Sequence, residues 1–319
     1  VTNDIDETME AWRIERFGGP DALRRVTLPA PRPARGEVLV EMRSAGVNPV
    51  DVKTREGRYP MVREDALPFT LGRDVAGVVA RCGEGVERWQ PGQRAYAFVG
   101  QGQGAFAQYV SVDAHALAAP PSTLALEDAG AVPLAALTAW QGLFDHGKLE
   151  RGERVLIHGA SGGVGQFAVQ FAREAGAHVI ATGSGESLEL LKKLGANETI
   201  DYRTQRFEEV ARDIDLVYDL IGGDTQQRSW AVIRQGGALV STLSEPSQAE
   251  ASKHGARATR YTARPDGEQL ARITRLFESG AVRVEIVERY PFERVPDAFA
   301  RIEQGHLRGK VVVTRGGST

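Results

Sequence analysis

The segment VLIHGASGGVGQFAVQF, residues 155–171, passes from an apolar run through a cluster of glycines into a helical pattern. VLIHG reads as a buried strand. Beyond the glycines, Val164, Phe167, Ala168, Phe171, Ala172 and Ala175 recur at i, i+3, i+4, i+7, i+8 and i+11, one face of a helix. The turn between them is Gly159-Ala160-Ser161-Gly162-Gly163-Val164-Gly165. A loop that holds a dinucleotide pyrophosphate needs glycine for a tight turn, for close approach of the backbone to phosphate and for close helix–strand packing. The helix start adds unpaired N–H groups and the positive end of the helix dipole. Gly162 and Gly165 match the second and third glycines of G-x-G-x-x-G, with Ala160 in place of the first. Ser161, Gly162, Gly163 and Val164 are therefore candidate phosphate contacts.

Working outward, strands and helices alternate. HVIAT is a strand, SLELLKKLGA a helix with Gly195 as its C-cap, and ETIDY, IDLVYDL and GGALVST are further strands, with ARATRYTA as the last. This rhythm predicts an α/β unit with a doubly wound parallel sheet over residues 128–283. The preceding region differs. EVLVEMRSAGV alternates, with Val38, Val40 and Met42 on one face and Glu37, Glu41 and Arg43 on the other, and DVAGVVARCG and QRAYAFV are short strands between Gly and Pro turns. LEDAGAVPLAALTAWQGLFDHG is rich in Ala and Leu and reads as helical. The tail, VRVEIVERYPF, VPDAFARIEQG and GKVVVTR, breaks the alternation and reads as a return to the first unit. The expected organisation is a β-rich domain from residues 1–127 and 284–319 around the nucleotide domain, which suits a chain of 319 residues. The first eight residues read as a frayed extension.

Composition narrows the function classes. Lys plus Arg number 39 and Asp plus Glu 42, with no basic stripe of the kind nucleic acid requires. Cys82 is the only cysteine, which excludes an internal disulfide and a cysteine-based structural zinc site, and fits a cytoplasmic location. The N-terminal stretch VTNDIDETMEAWRIERF has no apolar core of a signal peptide, and no run approaches the roughly 20 apolar residues of a membrane helix.

The second strand indicates the nucleotide. NAD sites place an Asp or Glu at its end to bond the ribose hydroxyls. Here it ends Ala181-Thr182-Gly183-Ser184-Gly185, with no acid before Glu186. Thr182, Ser184, Ser187, Tyr202 and Arg203 can surround a 2′-phosphate, so NADPH is expected. The alternative is that Glu186 swings back to a ribose and the site takes NADH.

Three motifs carry a family resemblance: AGVNPVDVKTREG at 45–57, AVPLAALTAWQGL at 131–143 and HGASGGVG at 158–165. From about Met9 to Arg315 the chain resembles the medium-chain dehydrogenase/reductase superfamily, and within it the zinc-independent quinone oxidoreductase and enone (2-alkenal) reductase branch. The resemblance implies a GroES-like catalytic domain built from both chain ends, an inserted Rossmann domain and an active site in the cleft between them. Where zinc alcohol dehydrogenases of the superfamily carry a GHE motif, this chain reads Gly72-Arg73-Asp74; Arg stays protonated and is no metal ligand. The family's cysteine ligands are absent, and the six histidines show no ligand spacing. No metal site is expected.

Hydride delivery without a Lewis acid suits an electron-poor acceptor, a quinone or the β-carbon of an α,β-unsaturated carbonyl. Asn48 and Lys53 are the catalytic candidates; Lys53, where quinone reductases often have Tyr, resembles the enone branch and would hold a ribose hydroxyl or face the enolate oxygen. Asn48 before Pro49 also suits a plain turn or N-cap. By the resemblance Tyr202 lies near the adenosine phosphate, and Arg308 and Lys310 lie where the tail closes over the cofactor. Ser187 stands where many quinone reductases have a Lys on the 2′-phosphate. Thr138 and the strand ends carrying Ile221, Thr242 and Leu243 should face the nicotinamide half. The polar segment SEPSQAEASKHG suits a loop at the pocket. GGALVST and ARATRYTA would form an exposed sheet edge, from which a homodimer is expected. The competing classes are a nucleotide-binding protein of this fold with little turnover, a zinc-independent reductase of another carbonyl substrate, and a zinc-dependent alcohol dehydrogenase, which Arg73 opposes.

Overall fold

The computed structural model describes residues 7–100 and 104–316; the first six of the residues read as a frayed extension lie outside it. The apolar run becomes strand β1 (Arg154–His158), whose Val155, Leu156 and Ile157 have no exposed surface. With β2 (His178–Gly183), β3 (Glu198–Asp201), β4 (Ile214–Asp219), β5 (Ile233–Ser241) and β6 (Arg257–Arg260) it forms a parallel sheet in the order β3-β2-β1-β4-β5-β6. Strand order reverses between β1 and β4. At such a switch point the crossovers leave on opposite faces, and a crevice opens outside the strand carboxyl ends. The helix Gly163–Glu174 follows β1 and buries Phe167, Ala168, Phe171 and Ala172, the face its spacing defines. The helix Leu188–Leu194 stops at Gly195, whose φ of 110° is left-handed and open to glycine.

The second unit is a sheet in the order Ile286–Pro291, Lys310–Thr314, Glu37–Val47, Asp74–Cys82 and Arg94–Phe98, with Tyr109–Asp113 also paired to Glu37–Val47. Thr8–Ile14, Leu23–Pro29 and Phe69–Thr70 make a smaller sheet beside it. The C-terminal strand is antiparallel to Glu37–Val47, with Val311 opposite Val47. The two chain ends therefore meet in one sheet, and Lys310 arrives beside the turn at Asn48.

Two stretches depart from the sequence reading. LEDAGAVPLAALTAWQGLFDHG is not one helix: Leu126–Ala129 and Pro133–Trp140 are separate, and Gln141–His146 continues as a wide π-turn. Gly130 interrupts it, with a Cβ there falling 2.7 Å from Ser44 backbone. The wide turn is pinned by Tyr218 and Tyr261, whose hydroxyls lie 3.1 and 2.5 Å from the Thr138 carbonyl. SEPSQAEASKHG is largely the helix Gln248–Lys253, with the Ser247 hydroxyl accepting from the Glu250 N–H; its polarity is that of an exposed helix.

Candidate active site

A cleft of about 860 Å³ opens where the two units meet, at the carboxyl ends of the parallel strands. On the nucleotide side it is lined by Gly159, Ser161 to Gly165, Thr182, Tyr202, Ile221, Thr242 and Leu243. Facing these are Asn48, Lys53, Tyr59, Phe98, Leu134 and Thr138. Tyr202 and Ile221 are 56% and 54% exposed, large side chains lying bare in a concave site. This is the wall a planar, partly apolar ligand would cover.

The glycines of the turn have distinct tasks. Gly159 takes φ of 71°, which sends the chain sharply out of β1. A Cβ on Gly165 would collide with the Gly159 carbonyl and Ala160, so this glycine packs helix against strand. A Cβ on Gly162 would meet nothing closer than the Gly159 oxygen at 3.4 Å, and Gly162 lines the cleft, so its backbone is open to an approaching phosphate. Helix Gly163–Glu174 begins there with its free N–H groups, and the loop fits a dinucleotide pyrophosphate.

The structure brings Asn48, Lys53, Thr138, Ser161, Gly162, Gly163, Val164, Thr182, Tyr202, Ile221, Thr242 and Leu243 to the cleft, and leaves five predicted residues off its wall. Ser187 is fully buried: its hydroxyl donates to the Ser184 carbonyl at 2.8 Å beneath Gly183, so it is turned inward from any 2′-phosphate. Ser184 spends its carbonyl on that bond and on the Ser187 N–H at 2.7 Å. Arg203 is exposed beyond the rim, its backbone N–H held by Asp201 at 3.0 Å. Arg308 is ion-paired with Glu186 rather than pointed into the cleft. That pair engages one of two acids near the end of β2; the other, Asp201, ends β3 opposite Gly183 with its carboxylate beside Gly185. Lys310 is only 4% exposed and is part of a buried network.

In that network Lys310 donates to the Asn48 Oδ1. The Asn48 Nδ2 donates to Asp74 Oδ2 at 2.8 Å and to the Gly46 carbonyl at 3.2 Å. Asp74 Oδ1 accepts the Leu134 N–H at 2.6 Å, capping the helix that carries Thr138. Asp51 accepts the Asn48 N–H at 2.8 Å and anchors the start of Pro49–Arg55, the helix of Lys53. The Lys310 stem also packs under the phosphate loop, since a Cβ on Gly163 would lie 2.7 Å from its Cδ. Both Asn48 amide hydrogens are thus committed inward. The residue expected to act on substrate is instead a bridge between two charges, and the Lys expected to touch cofactor supports the loop from behind.

Burial pushes Asp51 up to about 7 against the pull of Arg73 and the Asn48 N–H, while the nearby Asp74 raises it further. Burial likewise pushes Asp74 up to about 6, opposed by Lys310, the Asn48 amide and the Leu134 N–H. For Lys310, burial works against the ammonium, and Asp74 and Asp51 hold it charged. Arg73, which the family resemblance aligns with the GHE histidine, donates to the Gly100 carbonyl at 2.7 Å and lies over the rings of Tyr59 and Phe69. Among the described residues no group of three His, Cys, Asp or Glu side chains is placed to hold a metal, and no helix is long and apolar enough to cross a membrane.

Sequence reading passed over several lining residues. His158 ends β1, with Nδ1 3.2 Å from the Thr182 hydroxyl and Nε2 3.0 Å from that of Ser229; burial pushes it down to about 4, so it is neutral and ties β1 to β2 and to helix Gly223–Ser229. Its signal was a polar residue at the last position of an otherwise apolar strand. Tyr59, Arg228, Arg260 and Tyr261 also reach the cleft. Arg228 comes from the last turn of helix Gly223–Ser229 and the others from loops and a strand end, where residue type alone does not report direction.

Fold and cleft together define a two-domain protein of the dinucleotide-binding α/β class, with its site at the topological switch point. The family models for the alcohol dehydrogenase GroES-like domain and for the zinc-binding dehydrogenase match residues 34–133 and 194–313. The mitochondrial NAD(P)H oxidoreductase RTN4IP1 of Mus musculus is 35% identical over 98% of this chain and 91% of its own length. The chloroplastic NADPH-dependent alkenal/one oxidoreductase of Arabidopsis thaliana is 33% identical over 98% and 82%. Among solved structures, the quinone oxidoreductase from Coxiella burnetii superposes with a TM-score of 0.90 at 30% identity, covering 96% of this chain and 99% of that one. The Escherichia coli quinone oxidoreductase complexed with NADPH gives 0.86 at 27% identity over 96% and 99%. The chain belongs to the medium-chain dehydrogenase/reductase superfamily.

Proposed function

We propose that this chain is an NADPH-dependent reductase that delivers hydride, without a metal, to a quinone or to the carbon–carbon double bond of an α,β-unsaturated carbonyl compound. The observation that carries this reading is the single cleft that joins an open phosphate loop to Lys53 while Arg73 fills the metal-ligand position. Relatives named for NADPH, quinones and alkenals support it. Gly162, Gly163 and the helix start would hold the pyrophosphate, and Thr182 and Tyr202 the adenosine end. When bound, NADPH supplies the hydride. Lys53 faces the cleft, and among the described residues its ammonium has no hydrogen-bond or ion-pair partner. It can hold a ribose hydroxyl or stabilise negative charge growing on the acceptor's carbonyl oxygen. Ile221, Leu243 and Phe98 give the cleft apolar surface that a bound nicotinamide would cover. Glu186 pairs with Arg308, which draws it from the ribose hydroxyls and tilts the site toward NADPH.

We also propose a homodimer paired through the exposed edge at β6, and a cytoplasmic location, which the single cysteine supports. A panel of quinones, 2-alkenals and cyclic enones, assayed with NADPH and NADH on chelator-treated protein, tests the reading. Cofactor oxidation with at least one acceptor class is the expected result. Binding of NADPH without turnover on any acceptor would favour a nucleotide-binding protein of this fold.

A further inference from the structure

Among the described residues the cleft wall carries Lys53, Arg58, Arg73, Arg228 and Arg260, and no carboxylate. Most of these charges are engaged. Arg73 bonds the Gly100 carbonyl, Arg58 Nε bonds Glu56 at 2.7 Å, and Arg228 pairs with Glu208 at 2.9 Å and Asp224 at 2.8 Å. Lys53, already placed at the reacting end, and Arg260 differ: neither has a side-chain hydrogen-bond or ion-pair partner among the described residues, and Arg260 is an exposed residue that lines the cleft.

The cofactor's phosphates do not account for it. Arg260 ends β6, at the opposite end of the sheet from the adenosine. At about 4.8 Å per strand, β6 lies about 14 Å from β1, which carries the phosphate loop, and about 19 Å from β2, where a 2′-phosphate would sit. Both spans exceed what one arginine side chain covers. In the ladder Arg260 is opposite Ser241, which precedes Thr242 and Leu243 at the nicotinamide end. Its neighbours on the wall are Tyr261, Thr262 and Ala263, and Phe98, Leu134 and Tyr59 line the same cleft. The cleft thus sets apolar side chains beside an exposed guanidinium that no described side chain pairs.

We infer that the acceptor is an amphipathic anion: an unsaturated carbonyl compound with an apolar body and a carboxylate or phosphate, set apart from the conjugated carbonyl, that Arg260 holds. This deepens the reductase reading and rests on it. A guanidinium matches either anion with paired donors, and an anion in a cleft without carboxylates meets no like charge. Arg260 is a specificity residue here and takes no part in hydride transfer.

The test compares one enone skeleton in three forms, with a terminal carboxylate, its methyl ester and a terminal phosphate, with menadione as a neutral control. In the parent, kcat/KM for one anionic form should exceed that for the ester by about tenfold at low salt, through KM, and the advantage should shrink as salt rises. In Arg260→Gln the advantage should vanish, while rates on ester and menadione and the KM for NADPH stay unchanged. Equal use of the ester and both anions by the parent overturns the inference and leaves the reductase reading intact. An anion preference that survives in Arg260→Gln overturns the role of Arg260. If none of the four compounds is reduced, both readings fall.

Discussion

Lys310→Met tests how the site is assembled. The substitution keeps an apolar stem beneath Gly163 and removes the ammonium that donates to Asn48 and faces Asp74 and Asp51. Lys310 meets Asp74 through Asn48 rather than in a direct ion pair, so the cost of about 3–5 kcal/mol for stripping a buried pair of one member is an upper range here. Here Asp74 has an escape, because it already sits at about 6 and can take a proton. Without the cation its folded pKa rises further above the unfolded value of about 3.9. A carboxylate with a raised folded pKa contributes stability that is full below the unfolded pKa and lost as pH rises through the folded one. The deficit of Lys310→Met should therefore be small near pH 6 and deepen toward pH 8, by about 1.4 kcal/mol per pH unit at most. Urea unfolding at the two pH values measures it, with an expected loss at pH 8 of about 3 kcal/mol. Adding Asp74→Asn should recover much of that loss at pH 8, since the carboxylate that Lys310 compensates most is then gone and Asp51 keeps Arg73 as its cation. A deficit equal at both pH values, or a double variant weaker than the single one, would refute the reasoning.

Three more outcomes follow from the site. NADPH should bind more tightly than NADH in fluorescence titration, and Arg308→Ala, which releases Glu186, should narrow the ratio; equal affinities in the parent contradict this. Lys53→Met should lower kcat/KM for an enone by about 10- to 150-fold, the equivalent of losing a hydrogen bond to a charged group, with a smaller fall for a quinone and little change in Tm. Light scattering at micromolar concentration should give twice the chain mass of 34.5 kDa, and a monomer mass would remove the dimer proposal.

What was legible in the sequence was local. The glycine turn, the helical face from Val164 to Ala172 and the strand alternation at Val38, Val40 and Met42 depend on neighbours a few residues apart, and each forms as its spacing implies. The charged network was not legible, because Lys310 and Asn48 lie 262 positions apart and meet only when the last strand closes on Glu37–Val47. Ser187 was misplaced for a related reason: its type suits a phosphate, but the short turn Gly185–Ser187 folds the hydroxyl back to Ser184. The π-turn after Trp140 is imposed by Tyr218 and Tyr261 from other elements and leaves no mark in the helical pattern.

The central claim is that hydride passes in this cleft from NADPH to an electron-poor carbon without a metal. NADPH carrying deuterium at the transferable C4 position, incubated with chelator-treated protein and an enone, tests it most directly. NMR of the product should show deuterium at the β-carbon, in step with cofactor oxidation and without added zinc. Deuterium absent from that carbon, or turnover that appears only when zinc is supplied, would contradict the account.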